Sequence, residues 1–194
     1  MEHATGPIVL ERMTIDDSGV VRPMNLRLRN GGPADAETCG SICFDAFTAI
    51  AKRHNFPPDF PAPEIAVQLF SHLFSRPDIH SVVAEMDGRV IGSNFLWENT
   101  VIAGVGPITV DPAVQNGTVG RRLMEHVVER ARENHFAGIR LVQAAYHNRS
   151  LSLYTKLGFN SFQQLGRLGV VSFGIHIEDL LIIGHQFILG RFLA

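Results

Sequence analysis

The stretch Val110-Asp111-Pro112-Ala113-Val114-Gln115-Asn116-Gly117-Thr118-Val119-Gly120-Arg121-Arg122-Leu123 changes period in its middle. Val101 to Val110 reads as a β run. Beyond the turn, Val119, Leu123, Val127 and Ala131 recur every four residues, with Arg121, Arg122, Glu125, Glu129 and Arg132 elsewhere on the wheel. That pattern is an amphipathic helix. A strand that enters a helix through a glycine-containing turn aims several unpaired backbone N–H groups and the positive helix end at one point. An anion such as phosphate or pyrophosphate is the natural ligand there. Two other phosphate loops are excluded: G-x-x-x-x-G-K-[ST] is absent, and no G-x-G-x-x-G occupies the first strand-to-helix turn. By itself, Asn116-Gly117 reads equally well as a plain turn before a helix cap.

The rest of the chain is organised around that stretch. Residues 1–23 carry Gly6-Pro7 and Asp16-Asp17-Ser18-Gly19 without a sustained period, a loosely structured leader. Leu26 and Leu28 alternate with Arg27 and Arg29 as a half-buried strand. Gly31-Gly32-Pro33 breaks it before a helix running to about Arg53. The segment His54 to Pro61 is too rich in proline for helix, and a second helix spans about Pro63 to Ser75. Ser81 to Glu85 and Val90 to Trp97 alternate around Asp87-Gly88, a tight-hairpin signal. Gly104, Gly106 and Pro107 interrupt the Val101 to Val110 run, marking a bulge or a close backbone approach. Ile139 to Ala145 suits a strand buried on both faces, and Leu151 to Leu157 is a short helix closed by Gly158. The order is β, α, α, β, β, β, α, β, α, then a tail.

Composition narrows the function classes. With 194 residues, 45% hydrophobic and 19% charged, the chain holds one full core and is neither collagenous, coiled-coil nor wholly disordered. The 17 basic and 19 acidic residues leave no basic footprint for nucleic acid or an anionic membrane. Glu178 and Asp179 split the apolar stretch Leu168 to Ala194 into runs shorter than the ~20 residues of a spanning helix, so no membrane span is expected. Cys39 and Cys43, four apart on a helix, have poor disulfide geometry and no further ligands to complete a metal site. They read as small buried residues in a reducing cytoplasm, and Met1-Glu2-His3-Ala4 lacks the features of a signal peptide.

A second stretch, His147-Asn148-Arg149-Ser150-Leu151-Ser152-Leu153-Tyr154-Thr155-Lys156-Leu157-Gly158-Phe159, completes a pattern with the first. Together they resemble the GNAT acyltransferase superfamily, with its V-x-P-x-x-[QR]-x-x-G-x-[GA] and, later, N-x-x-[AS]-x-x-L-Y-x-x-x-G-F. Val110, Pro112, Gln115 and Gly120 match the first motif; Ser150, Leu153, Tyr154, Gly158 and Phe159 match the second. The element order is also the family's, from about Met24 to Phe159. Two positions depart from it. Thr118 stands where the family has its first loop glycine, with Gly117 one place earlier, and His147 stands where it has Asn.

The resemblance implies an α/β (α+β) fold: a single domain over 24–178, its mixed central β-sheet flanked by helices and its parallel central strands splayed apart. The family's two further strands would come from Asn160 to Leu165 and Gly169 to Ile177, and residues 179–194 are set aside as an apolar extension, either packed as a further strand or helix, with a homodimer interface as one setting, or a poorly ordered end. The implied activity is acyl transfer from acetyl-CoA to an amine, a small molecule or peptide, with no covalent acyl-enzyme. Backbone at Ile108, Thr109 and Val110 would pair with the pantetheine arm, and one N–H would hold the developing oxyanion. The N–H groups of Gln115, Asn116, Gly117, Thr118, Val119 and Gly120 would cradle the pyrophosphate. Arg121 adds charge toward the nucleotide or is simply solvated, and His147 is structural or cofactor-adjacent. Tyr154 would protonate the departing thiolate. Glu98, at the end of a strand, is the candidate general base or else an exposed carboxylate. Phe56 and Phe60 line an acceptor pocket or close the core. A competing reading is an inactive acyl-CoA-binding module on the same fold.

Overall fold

The computed structural model describes residues 13–15, 21–23, 25–115, 118–144, 146–165 and 186–192. Within the leader, β1 (Met13–Ile15) and β2 (Val21–Pro23) pair antiparallel with each other. Strand β3 (Leu26–Asn30) ends at Gly31-Gly32, one 3-10 turn covers Pro33–Asp35, and α1 (Ala36–Arg53) follows. Asp35 and Glu37 stand at its positive end. The Arg29 guanidinium forks onto the Asp35 carboxylate at 2.7 and 2.8 Å, which holds that carboxyl below its usual range. Helix α2 (Pro63–Ser75) begins on its proline, the position where a missing N–H costs nothing. Strands β4 (Ile79–Met86) and β5 (Arg89–Trp97) make a hairpin. Its turn residues Asp87 and Gly88 have φ of 51° and 82°, the left-handed pair that the twist of a two-residue turn requires.

The run read as one strand from Val101 is two, β6 (Ile102–Val105) and β7 (Thr109–Val110). Helix α3 (Val119–Glu133), β8 (Gly138–Ala144), α4 (Asn148–Lys156), β9 (Asn160–Leu165) and β10 (Gln186–Phe192) follow. The sheet order is β3-β4-β5-β6-β8-β10-β9, with β7 beside β5. Among the described strands, only β6 and β8 run parallel. Helices α1 and α2 cover one face, where Cys39, Cys43, Phe70, Leu73, Val83 and Phe95 pack together. Helix α3 and α4 cover the other, with Leu123, Met124, Val127, Ile139, Leu141, Tyr154 and Phe159. Each large apolar side chain buried there contributes about 1.5–3 kcal/mol.

The described part of the extension, residues 186–192, belongs to the sheet. Strand β10, from the segment set apart as an extension, lies between β8 and β9 and pairs with both. Gly169 to Ile177, the other candidate strand, falls outside the described residues.

What positions the site is the parting of β7 from β8. Parallel pairing of β6 with β8 ends at Val105↔Leu141, and β7 pairs with β5 alone. Three features of the sequence cause this. Pro107 offers no N–H to a ladder. Gly106 has φ 119°, a conformation that strains any residue with a side chain. And β7 is drawn onto β5 at Gly92, where a Cβ would come within 2.6 Å of the Thr109 carbonyl oxygen. The bulge is pinned by the Trp97 indole N–H, which donates to the Gly106 carbonyl at 2.7 Å, and by the Gly106 N–H donating to Phe95 at 2.9 Å.

Candidate active site

At the outer end of the opening between β7 and β8 lies the turn into α3. Gln115 ties this turn to the strands: its amide donates to the Val110 carbonyl at 3.1 Å, and its oxygen accepts from Arg149 of α4 at 3.4 Å. Thr118 precedes the helix and is exposed, and its hydroxyl makes no capping bond to the first turn. The hydroxyl and the first-turn N–H groups at Val119, Gly120 and Arg121 are therefore left for an outside acceptor. Asn116 and Gly117 fall outside the described residues. Arg121 pairs with Glu125 along the helix at 2.7 Å, and both side chains are about half exposed, so its charge is met within α3.

The opening itself is lined by Val110, Gly120 and Leu153. A Cβ built on Gly120 would touch Val110 and Leu153 only at 3.7 Å, ordinary contact, so nothing in the protein's own packing demands glycine there. The glycine preserves room for something else. A sharper sign comes from Gln143, which sequence reading passed over as part of an apolar run. It shares the α3 and α4 face of β8 with Ile139 and Leu141, two places beyond the last β6 partner; β10 pairs with it on one edge, and the edge toward β7 has no partner strand. It is 8% exposed, and both its amide nitrogen and its oxygen lack a hydrogen-bond partner. Such orphaned groups cost about 1–3 kcal/mol each in a folded protein. A lone polar residue on the inward face of Ile139 to Ala145 was the signal available in the sequence.

Tyr154 is 5% exposed, inside the core formed by α3, α4 and the sheet, with its ring 6.0 Å from that of Phe159. Burial pushes its phenol up to about 12, opposed by a hydrogen bond with the Ser150 hydroxyl one turn earlier. The group stays protonated through the neutral range. His147 caps α4: its Nδ1 accepts from the Ser150 N–H at 3.2 Å, the task an Asn at this position would perform. Burial, and then the charges of Arg149, His54 and Arg53, lower its pKa, consistent with a neutral ring whose Nδ1 is free to accept.

Glu98 is placed elsewhere. Its two carboxylate oxygens accept from Arg130 at 2.6 and 3.1 Å, and Asn134 adds a bond at 3.2 Å. Both partners belong to the C-terminal end of α3, about 15 Å along the axis from the helix start at 1.5 Å per residue. The register shows why: β5 runs antiparallel to its neighbours, so Gly92 lies opposite Val110 while Trp97, just before Glu98, lies opposite Gly104 at the closed end. A carboxylate committed to Arg130 at that end is not positioned as a base for the opening.

Across the mouth of the opening runs the loop between α1 and α2. Phe56 stacks on Tyr146, just past β8, with ring centroids 4.4 Å apart and 22° between planes, and His54 lies 5.3 Å from the same ring. Phe60 packs edge-on to Phe47 of α1 at 5.8 Å and is buried, so it closes the core. Phe56, by contrast, holds the loop over the end of β8.

Comparison with known proteins agrees with this geometry. The acetyltransferase (GNAT) family model matches residues 45–159, more than half of the chain. An IAA acetyltransferase of Azospirillum brasilense is 29% identical over 110 residues, covering 55% of this chain and 71% of that protein. Among solved structures, the fold resembles ribosomal-protein-S18-alanine N-acetyltransferase from Escherichia coli, with a TM-score of 0.64 and 17% identity over 88% of this chain and 95% of that one. It also resembles a phosphinothricin acetyltransferase from Sinorhizobium meliloti in complex with acetyl-CoA, with a TM-score of 0.65 and 20% identity over 88% and 90% of the two chains. The chain belongs to the acetyltransferase (GNAT) family and is an acyl-CoA-dependent N-acetyltransferase whose donor is acetyl-CoA.

Proposed function

We propose that the protein transfers the acetyl group of acetyl-CoA directly to a primary amine, with donor and acceptor bound together. The observation that carries this reading is the opening between β7 and β8 beside the first turn of α3, on the sheet whose α3 and α4 face buries Tyr154. The first-turn N–H groups, the Thr118 hydroxyl and the Gly120 gap suit a pyrophosphate. The parted edge of Ile108, Thr109 and Val110 together with Gln143 suits the amide-bearing arm. When bound, the donor supplies the thioester carbonyl that is attacked. Tyr154 is enclosed, so its proton reaches only a group that enters the fold.

Direct transfer is supported by the absence of an activated nucleophile among the described residues. Burial pushes the Cys39 thiol up to about 12 and holds Cys43 well above its usual value, so neither is a thiolate at neutral pH. Ser93 and Thr109 share a buried 3.3 Å contact between their hydroxyls and have no base beside them. Two-substrate kinetics with acetyl-CoA and a panel of small amines and peptide N-termini test the proposal, read by release of CoA thiol. Intersecting double-reciprocal lines are expected. Parallel lines with an acetylated enzyme in the mass spectrum would overturn direct transfer. Tight acetyl-CoA binding without thiol release for any amine would favour a binding module.

A further inference from the structure

The α1–α2 loop that crosses the mouth of the opening is anchored on both sides of one acidic residue. Phe56 is stacked on Tyr146 and Phe60 is wedged against Phe47; Pro57, Pro58 and Asp59 lie between them. Two prolines in a span of five residues leave that stretch little freedom. Those two anchors, Phe56 at the turn after β8 and Phe60 against α1, hold the half-buried Asp59 between them, and its charge raises the Tyr146 phenol and the Cys43 thiol of α1. Among the described residues it has no ion-pair partner. Asp35, Asp111 and Glu98, by contrast, are each paired with an arginine: Arg29, Arg89 and Arg130. The strands provide no substitute, since Val142 and Ala144 occupy the α1 and α2 face of β8 beside the opening.

We propose that Asp59 is the general base of the acetyl transfer, taking the proton that the acceptor nitrogen loses as it attacks the thioester. The inference rests on the acetyltransferase reading above. A neutral amine bonds to the carbonyl carbon, and the nitrogen becomes strongly acidic as the C–N bond forms, so a carboxylate suffices to remove the proton. The C–S bond then breaks, Tyr154 protonates the departing thiolate, and the proton on Asp59 passes through solvent to restore the phenol. The products are the amide and free CoA, with no other reactant needed. Desolvation raises the Asp59 carboxyl from 3.8 to about 6, which suits a base that works near neutrality. Tyr146 and Cys43, the titratable groups that face it, are both shifted upward and stay protonated there; His54, Arg53 and His147 border the same turn.

The test compares Asp59→Asn and Asp59→Glu with the wild-type enzyme, using thiol release from pH 5 to 9, acetyl-CoA titration calorimetry and thermal melts. Wild-type kcat/KM for the amine is expected to rise with pH through about 6. Asp59→Asn should lose about 100-fold or more and flatten that limb, with acetyl-CoA affinity unchanged, and Asp59→Glu should recover part of the rate. The melt gives an independent readout. A carboxyl whose folded pKa is raised contributes stability only at low pH, lost as pH rises through about 6, so the Asn variant should melt higher than wild type at pH 7.5 and lose that advantage near 3.8. Retained activity with an intact acid limb would overturn the assignment, as would a rate loss matched by lost acetyl-CoA binding. Absence of thiol release by the wild-type enzyme with every amine would instead overturn the acetyltransferase reading, and the base with it.

Discussion

The two ends of the central sheet treat their polar groups in opposite ways. At the closed end, where β6 and β8 pair, Glu98 is held by Arg130 and Asn134, and His80 and His126 stack with their Nε2 atoms 3.1 Å apart. Arg76 forks onto Asp78 and lies over the Trp97 ring. At the open end Gln143 has two buried orphan atoms and Asp59 has no ion pair among the described residues, while Tyr154 is buried beside Ser150. These polar groups of the closed end are thus met within the protein, whereas Gln143 and Asp59 at the open end are not met in this way among the described residues. Marginal stability makes the second arrangement costly, so the orphaned groups mark the site more sharply than any hollow in the surface.

Substitutions at the two ends should therefore move different observables. Beyond Asp59, the largest effect is expected at Tyr154→Phe: about a 100-fold loss of kcat, equivalent to about 2.7 kcal/mol, with acetyl-CoA affinity kept and stability lowered by no more than the Ser150 hydrogen bond, about 1 kcal/mol. Thiol-release kinetics beside a denaturant melt would show this, and an unchanged kcat would remove Tyr154 from the chemistry. At the closed end the order inverts. Glu98→Gln should cost about 2 kcal/mol of stability by leaving Arg130 short of a charged partner, with kcat within about twofold of wild type. A large loss of activity in a well-folded Glu98→Gln protein would break the comparison. Gln143→Leu should do something neither of those does, stabilising the ligand-free protein by about 1–1.5 kcal/mol while reducing the melting shift produced by acetyl-CoA.

These contrasts also explain what could be read in the sequence. Turn chemistry and period are local, so Pro33, Pro63, Asp87-Gly88 and the four-residue recurrence of α3 located the helices and the hairpin closely. The two motifs located the turn and Tyr154 because their spacing carries their geometry. Glu98 could not be placed that way: whether the end of a strand faces the opening depends on its register with a partner strand, here Leu96↔Val105. Strand β10 was equally opaque, since insertion between β8 and β9 is a long-range pairing and its apolar run fits several packings. Asp59 lacked any local signal, because the flanking aromatics reveal their role only once Phe56 meets Tyr146 from the far side of the chain.

The smallest effect, and the one most specific in sign, concerns His147. Its Nδ1 must be unprotonated to accept from the Ser150 N–H, and Ser150 in turn hydrogen-bonds the Tyr154 phenol, so the cap anchors the turn that carries the proposed acid. His147→Ala should cost about 1 kcal/mol, the usual loss of an N-cap, and lower kcat severalfold through a looser Tyr154. Because burial lowers the folded pKa of His147 below 6.5, its cap contributes fully above pH 6.5 and is lost as pH falls through the lowered value. The stability gap between wild type and His147→Ala should therefore be widest at neutral pH and close in acid. His147→Asn, which caps without titrating in this range, should keep its advantage over Ala throughout. Melts of the three proteins from pH 4 to 8 would measure this, and a gap between wild type and Ala that persisted undiminished at pH 4 would show that the ring does not cap α4 through a neutral nitrogen.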